Sequence, residues 1–337
     1  MKKGELRLFA ARPLRLILAE KHLTMKSTTT KCRYKVTNWK EYNQSLCKRG
    51  SITLWITDDI ADTWYYQGKR APGGELLYTD KAIELCLTLR AIYGLGYRQT
   101  EGYVKSLFSL AAIDLQAPSY SQMQRRSARI TIGIKTKSDK KGAIDIVIDS
   151  TGLKVYGEGE WKVRKHGKDK NRTWRKVHIA SDPADLEIVW VKVTGNDIDD
   201  ASAGMDMPDG IGQSIKSCAG DGAYDKKKFR GCLPKDVQQL IPPQKNAVKS
   251  KKHAPLLKQR DEAIARIQQV GRKQWKKEVG YHKRSLSEVN MYRYKKIFTG
   301  ALKARKPRYE TSEVRIKCKI LNKFAEIGMP ITIKIAA

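Results

Sequence analysis

The chain has 337 residues and a formal net charge of +32, from 67 lysines and arginines against 35 aspartates and glutamates, at an ordinary 40% hydrophobic content. That length suffices for two domains and a sizeable core, and so large a basic excess repels itself unless it meets a polyanion, which makes nucleic acid the leading partner class. There is no run of about 18 apolar residues, which excludes a spanning helix, and the charge runs through most of the chain instead of gathering in one amphipathic helix, as an anionic-lipid binder would have it.

In chain order, the opening "MKKGELRLFAARPLRLILAEKHLT" mixes basic and apolar residues as a targeting peptide does, yet Arg12, Arg15, Glu20 and Lys21 interrupt any apolar stretch. Residues 1–30 are expected to be an unstructured leader, with Met25 the tidier start. Residues 31–135 read as a helical DNA-binding domain. Asp80 or Thr79 caps a helix whose body is Ala82 to Tyr93, and "GLG" breaks it. A second helix takes Arg98 to Leu110, and a third, "SQMQRRSARI", is capped by Ser119 or Ser121. Three short helices with a Gly-containing turn are compatible with a helix-turn-helix module, although such triplets more often simply pack.

Lys135 to Gly142 reads as a linker, after which the pattern changes to strands. "AIDIVIDSTG" is a β-branched run ending in polar turn residues, and "KVHIASDP" and "LEIVWVKVTG" form a hairpin across Pro183 to Asp185. Asp199 to Met205 opens a helix, "SIKSCAGDGAYD" is a strand stopping at Gly220-Asp221-Gly222, and "KKKFRGCL" is a short helix leading to the strand "VQQLIPP". From Lys258 the text is helical and strongly basic. The whole of 140–337 is therefore expected to be a mixed α/β domain, with a basic insertion at about 245–280.

Six cysteines (Cys32, Cys47, Cys86, Cys218, Cys232 and Cys318) show no CxxC pair, and the five histidines form no cluster. Structural zinc, a disulfide framework and a histidine-based site are all disfavoured, and a reducing cytoplasm fits.

The carboxylates are more informative. Asp145 and Asp149 share one strand face but stand about 13 Å apart at ~3.3 Å per residue, too far for one metal centre. Asp149 is the better candidate, because Ser150-Thr151-Gly152 is expected to end the strand there. Asp221 also ends an apolar strand, and Gly222 lets the backbone turn and a ligand approach. Acids at strand ends more commonly serve turns or caps. Asp225 is expected to cap "KKKFRGCL", and the acids of "NDIDDASAGMDMPDG" and Asp182 to serve loops and turns.

A third acid stands out by its surroundings. "YHKRSLSEVNMYRYKK" (281–296) holds five lysines and arginines around one acid, Glu288. As a helix it would place Tyr281, Arg284, Glu288 and Lys295 within an arc of roughly 60°. A salt-bridge-laced helix face is the plain reading. A carboxylate among cations is equally tolerable where it holds metal ions and the cations hold phosphates. Asp149, Asp221 and Glu288 together suit Mg²⁺, a hard ion that takes carboxylate oxygens.

The runs "IDSTGLKVYGEGEWKVRKHGK", "WRKVHIASD", "DGAYD", "IPPQKNA" and "YHKRSLSEVNMYRYKKIFTGAL" together resemble bacterial insertion-sequence transposases of the DDE type, in the subgroup with a Y-R-E-K signature. The likeness extends to "NWKEYNQSLCKRGSITLW" and "YRQTEGYVKSL", so it covers nearly everything after Cys32. It implies an RNase H-like fold, with the Asp149 strand central, the Asp221 strand beside it and the Glu288 helix packed over them. It implies two Mg²⁺ ions, replaceable by Mn²⁺, on Asp149, Asp221 and Glu288, and phosphate contacts from Tyr281, Arg284 and Lys295. It further implies double-stranded DNA partners (terminal inverted repeats and target), a homo-oligomeric active complex without a membrane, and a nucleoid-associated cytoplasmic setting. End cleavage followed by strand transfer is the implied activity. An RNase H-like nuclease without strand transfer, and an inert DNA-binding regulator whose acids only salt-bridge, are the alternatives.

Overall fold

The computed structural model describes residues 33–57, 59–68, 77–134, 142–155, 174–250 and 255–335; the expected leader, nearly all of the expected linker and the motif residues just after Val155 lie outside these. Two compact units are present, Asn38–Met329 and a small one whose described residues are 33–37 and 330–335. In the small unit, β1 (Arg33–Val36) pairs antiparallel with Thr332–Ile335, Val36 opposite Thr332.

The larger unit opens with α1 (Trp39–Arg49), α2 (Ile60–Trp64), α3 (Asp80–Ile92), α4 (Tyr97–Leu110) and α5 (Tyr120–Ser127). Of the cap candidates, Thr79 serves α3, its hydroxyl accepting from the Ala82 N–H. Ser119 serves α5 in a reciprocal box, accepting from the Gln122 N–H while Gln122 Oε1 takes the Ser119 N–H. Gly94, at φ +64°, makes the left-handed turn between α3 and α4 that a side chain would resist.

There follow β2 (Ile144–Val155), β3 (Trp174–Ser181), β4 (Ile188–Gly195), α6 (Asp200–Ala203), α7 (Met207–Ile211), β5 (Ile215–Ala219), α8 (Lys227–Cys232) and β6 (Gln238–Leu240). The chain closes with α9 (Lys258–Val270), α10 (Arg272–Glu278), α11 (Ser285–Phe298), β7 (Ala301–Leu302) and α12 (Pro307–Ile327). Strand order is β4-β3-β2-β5-β6, with β7 also on β2; the β2–β3 and β3–β4 pairs are antiparallel and the other pairs parallel. β2 is thus central and β5 its neighbour, as the family resemblance implies.

Period-2 alternation divides the core between the two sheet faces. Ile144, Ile146 and Ile148 bury against Ala180, Met207 and Phe229 on one face. On the other, Leu153, Val177 and Ile179 pack with Met291 and Tyr294 of α11 and Ile316 and Leu321 of α12. That second core continues without a break into Ile83, Leu87, Val104 and Met123 of the first helices.

Two asparagines lock α11 and α12 to the β3–β4 hairpin. Asn290 Nδ2 donates to the Leu186 carbonyl at 3.0 Å, and Asn322 pairs with both the N–H and the carbonyl of Ile188 at 2.8 Å. The expected hairpin turn is present, with Asp182 accepting from the Ala184 N–H.

Two expectations are corrected. β2 does not stop at Ser150-Thr151-Gly152: these residues pair with His178, Val177 and Lys176 of β3, and the strand runs on to Val155. The basic stretch is not one α-helix either. Tyr281–Arg284 is a 3₁₀ turn entered from Gly280 at φ +67°, and α11 begins only at Ser285.

Candidate active site

Asp149 lies mid-strand, at a gap in the sheet. On its β5 side β2 is paired up to Val147, opposite Ala219, and is next paired at Lys154, opposite Ala301 of β7. Over this open stretch sits the 3₁₀ turn Tyr281–Arg284, followed by α11, which packs on β2. Asp221 follows β5 by two residues, and its carboxylate accepts from the Ala223 N–H at 2.9 Å. It therefore makes the common Asx turn, and its charge still acts on Arg284 and Tyr281.

Arg284 ties the acids together. Its guanidinium donates to Asp149 Oδ2 at 3.1 Å and to Glu288 Oε1 at 2.7 Å. Ser287 Oγ adds a third donor to Asp149 Oδ2 at 3.0 Å, and the Ser150 N–H reaches Oδ1 at 2.9 Å. Burial pulls the Arg284 pKa down, but Asp149, Tyr281, Asp221 and Glu288 together overcome this and raise it. For Tyr281, burial raises the phenol pKa, Arg284 opposes this, and the same three acids push it up further. All five groups thus occupy one electrostatic neighbourhood.

The remaining residue of the basic stripe stays apart. Lys295 is exposed on α11, seven residues after Glu288 and hence about 10 Å further along the axis. Tyr281 is half-buried, with Lys276 Nζ 4.9 Å from its ring centroid.

The donor set fits a hard divalent cation, since all three candidates offer carboxylate oxygen and the Glu288 side chain, paired with Arg284, is 63% exposed. No group of three or more acids, imidazoles or thiols among the described residues stands close enough to be a ready ion site. Asp149 and Glu288 are instead drawn onto Arg284, whose positive charge sits between them.

Two acids behave differently from the sequence reading. Asp225 does not cap α8, whose N-cap is Lys226 without a side-chain bond. Its carboxylate is fully buried and takes Arg230 Nε and Arg260 Nε, each at 2.9 Å, and the Gln244 N–H at 3.1 Å. A local cap signal therefore yields to two arginines. Asp145 accepts from Ser217 Oγ at 2.7 Å and Lys283 Nζ at 3.0 Å. Burial disfavours its charge, yet Ser217 and Lys283 outweigh this and hold the carboxyl below its usual range. The Asp145–Lys283 pair anchors the 3₁₀ turn to the sheet beside Arg284. Neither this pair nor Ser287 was among the candidates; the Asp145 parity on β2 was the available signal. Three acids of the 197–209 region have partners of their own, Asp199 capping α6, Asp200 meeting Lys176 and Asp206 meeting Lys192.

A family model described as a transposase DDE domain matches residues 140–323, and a second of the same description matches 47–158. The first alone spans more than half of the chain, so the chain belongs to the DDE transposase family. It is a DNA transposase, an enzyme of hydrolysis and transesterification on DNA, and its mixed six-stranded sheet with flanking helices is RNase H-like. The family works with divalent metal ions. Among the described residues, no helix is long and apolar enough to cross a membrane.

Proposed function

We propose that Asp149, Asp221 and Glu288 are the catalytic acids of this transposase and hold two Mg²⁺ ions, for which Mn²⁺ substitutes. The observation that carries the reading is the bridge from Arg284 to both Asp149 and Glu288 across the gap between β5 and β7, with Asp221 at its edge. Bound ions of this kind supply a water of lowered pKa and stabilise the entering and leaving oxygens of an in-line displacement.

In the first step water oxygen bonds to phosphorus at the element's end and the 3′-oxygen leaves, exposing a 3′-OH. In the second, that hydroxyl attacks a phosphodiester of target DNA or of the opposite strand, and another 3′-oxygen leaves. Asp149, half-buried and held by Ser287 and the Ser150 N–H, is the fixed acid. Glu288, on the exposed side of α11, is the movable one.

Tyr281, Arg284 and Lys295 are the Y-R-E-K partners of Glu288 and contact phosphates next to the cut. Arg and Lys suit this because phosphate contacts position DNA without reading it. Residues 31–135, α5 in particular, read the terminal inverted repeats; 140–337 carries the chemistry, with the basic insertion near 245–280 and a homo-oligomeric active complex. The +32 charge supports the polyanion partner.

The Arg284 bridge also favours a second reading, a DNA-binding regulator in which the acids only salt-bridge. Calorimetric titration of the DNA-bound protein with Mn²⁺ separates the two. Binding that disappears in Asp149→Asn supports catalytic acids, whereas no binding by the wild type supports the regulator.

A further inference from the structure

Away from the acids, α3, α4, α5, α12 and the segment joining β7 to α12 line a cavity of about 370 Å³, within the size range of small-ligand sites. Its walls include Arg90, Tyr97, Lys303, Lys306, Tyr309 and Glu313. The single acid of this set is already engaged: Glu313 accepts from Lys317 Nζ at 2.6 Å and from the N–H groups of Lys303 at 3.1 Å and Ala304 at 2.8 Å. Burial opposes its charge, but these partners prevail and hold it below the usual carboxylate range.

The cations are not neutralised in the same way. Arg90 makes no ion pair among the described residues; its guanidinium carbon lies 4.2 Å from the Tyr97 ring centroid, and its buried Nε has no hydrogen-bond partner. Lys303 donates to a neutral oxygen, the Gly94 carbonyl. Burial first, and then the charge of Arg90, press the Lys303 pKa down, with Glu313 opposing them only in part. Lys306 is exposed, with no side-chain partner among the described residues.

We infer that this cavity is a second, non-catalytic phosphate site, which grips a nucleotide of the DNA backbone flanking the cut. Arg90 offers a planar fork and Lys303 and Lys306 point charges, the two ways side chains hold phosphate. The Tyr97 ring backs the Arg90 guanidinium at 4.2 Å and so steadies that fork. β7, which leads into the Lys303 and Lys306 wall, pairs with β2 at Lys154, five residues beyond Asp149, about 17 Å along the strand at ~3.3 Å per residue. A free nucleotide or inorganic phosphate has the same chemistry, and the test distinguishes these sources.

The test is fluorescence anisotropy with a labelled duplex of arbitrary sequence, titrated at several KCl concentrations. It compares the wild type, Arg90→Gln, Lys306→Gln and Lys235→Gln, the last an exposed lysine between α8 and β6. The salt slope is expected to fall by about 0.9 in each cavity variant, the value for one phosphate no longer held, and to stay unchanged in Lys235→Gln. Lys306 is exposed, so its variant keeps the fold even if Arg90→Gln does not. An equal change in Lys235→Gln, or none in either cavity variant, would overturn the site. Calorimetry with inorganic phosphate supplies the other arm: phosphate binding abolished in the cavity variants while their duplex slopes match the wild type would overturn the assignment to DNA. The same slope change is expected in an Asp149→Asn background, which keeps the outcome independent of the catalytic acids.

Discussion

Asp149 and Asp221 each lie two residues past the last pair of one parallel ladder, Val147 opposite Ala219. Neighbouring strands run about 4.8 Å apart, so two acids leaving them in step converge on one place. That place is where β2 loses its β5 neighbour and has not yet gained β7, so no backbone covers it from that side. Glu288 arrives from α11, and the Arg284 guanidinium bridges it to Asp149. Ligands of open α/β sheets gather in such crevices at strand ends.

Arg284→Ala is expected to lower cleavage of the element's flanking DNA about 10- to 100-fold, roughly 1.4–2.7 kcal/mol of barrier, while divalent-ion binding persists in calorimetry. Removing the guanidinium takes away a phosphate contact and leaves all three carboxylates in place. Loss of ion binding in this variant would show that Arg284 builds the acid site and does not serve the phosphate.

Asp225→Ala is expected to destabilise the protein by about 3–5 kcal/mol, because it strands two arginines in the interior. Arg230 is fully buried and Arg260 mostly so, and both give Nε to the same Asp225 oxygen. Urea unfolding monitored by tryptophan fluorescence measures this. A destabilisation within the range of a surface ion pair, below about 1 kcal/mol, would mean the network is solvated and relaxes.

His178 provides a pH-dependent prediction. It is fully buried on β3, and burial, only partly offset by Asp200, pushes its pKa down to about 4. A group that protonates at about 6.5 when unfolded but near 4 when folded binds more protons in the unfolded state between those values. Stability therefore falls as pH drops through that window, by up to about 3 kcal/mol at ~1.4 kcal/mol per pH unit. Unfolding curves at stepped pH should show this fall in the wild type and a smaller one in His178→Gln. Parallel profiles for the two proteins would remove His178 from the account.

Much of this arrangement is legible in the residues before any fold is known. Alternating isoleucines mark β2, Thr79 and Ser119 mark helix starts, and Asp149, Asp221 and Glu288 stand out by position or surroundings. What escapes is non-local. "STG" reads as a turn, but pairing with β3 carries the strand through it. Two residues are too few for β7 to show any periodicity. Asp225 precedes a helix as caps do, yet Arg230 and Arg260, five and 35 residues away, take its carboxylate. The 60° stripe assumes one α-helix, and the 3₁₀ turn before Ser285 breaks that assumption. Arg284 and Ser287 bond to Asp149, more than a hundred residues distant, and no local pattern encodes that meeting.

The most direct measurement is an in vitro cleavage and joining assay with the gene's own flanking DNA and Mg²⁺, comparing wild type, Asp149→Asn and Glu288→Gln. The account predicts end-specific cuts and joined products from the wild type, and loss of both in each variant. Binding without metal-dependent cutting by the wild type, or full activity in either variant, would contradict it and return Glu288 to the role of a salt-bridge partner of Arg284.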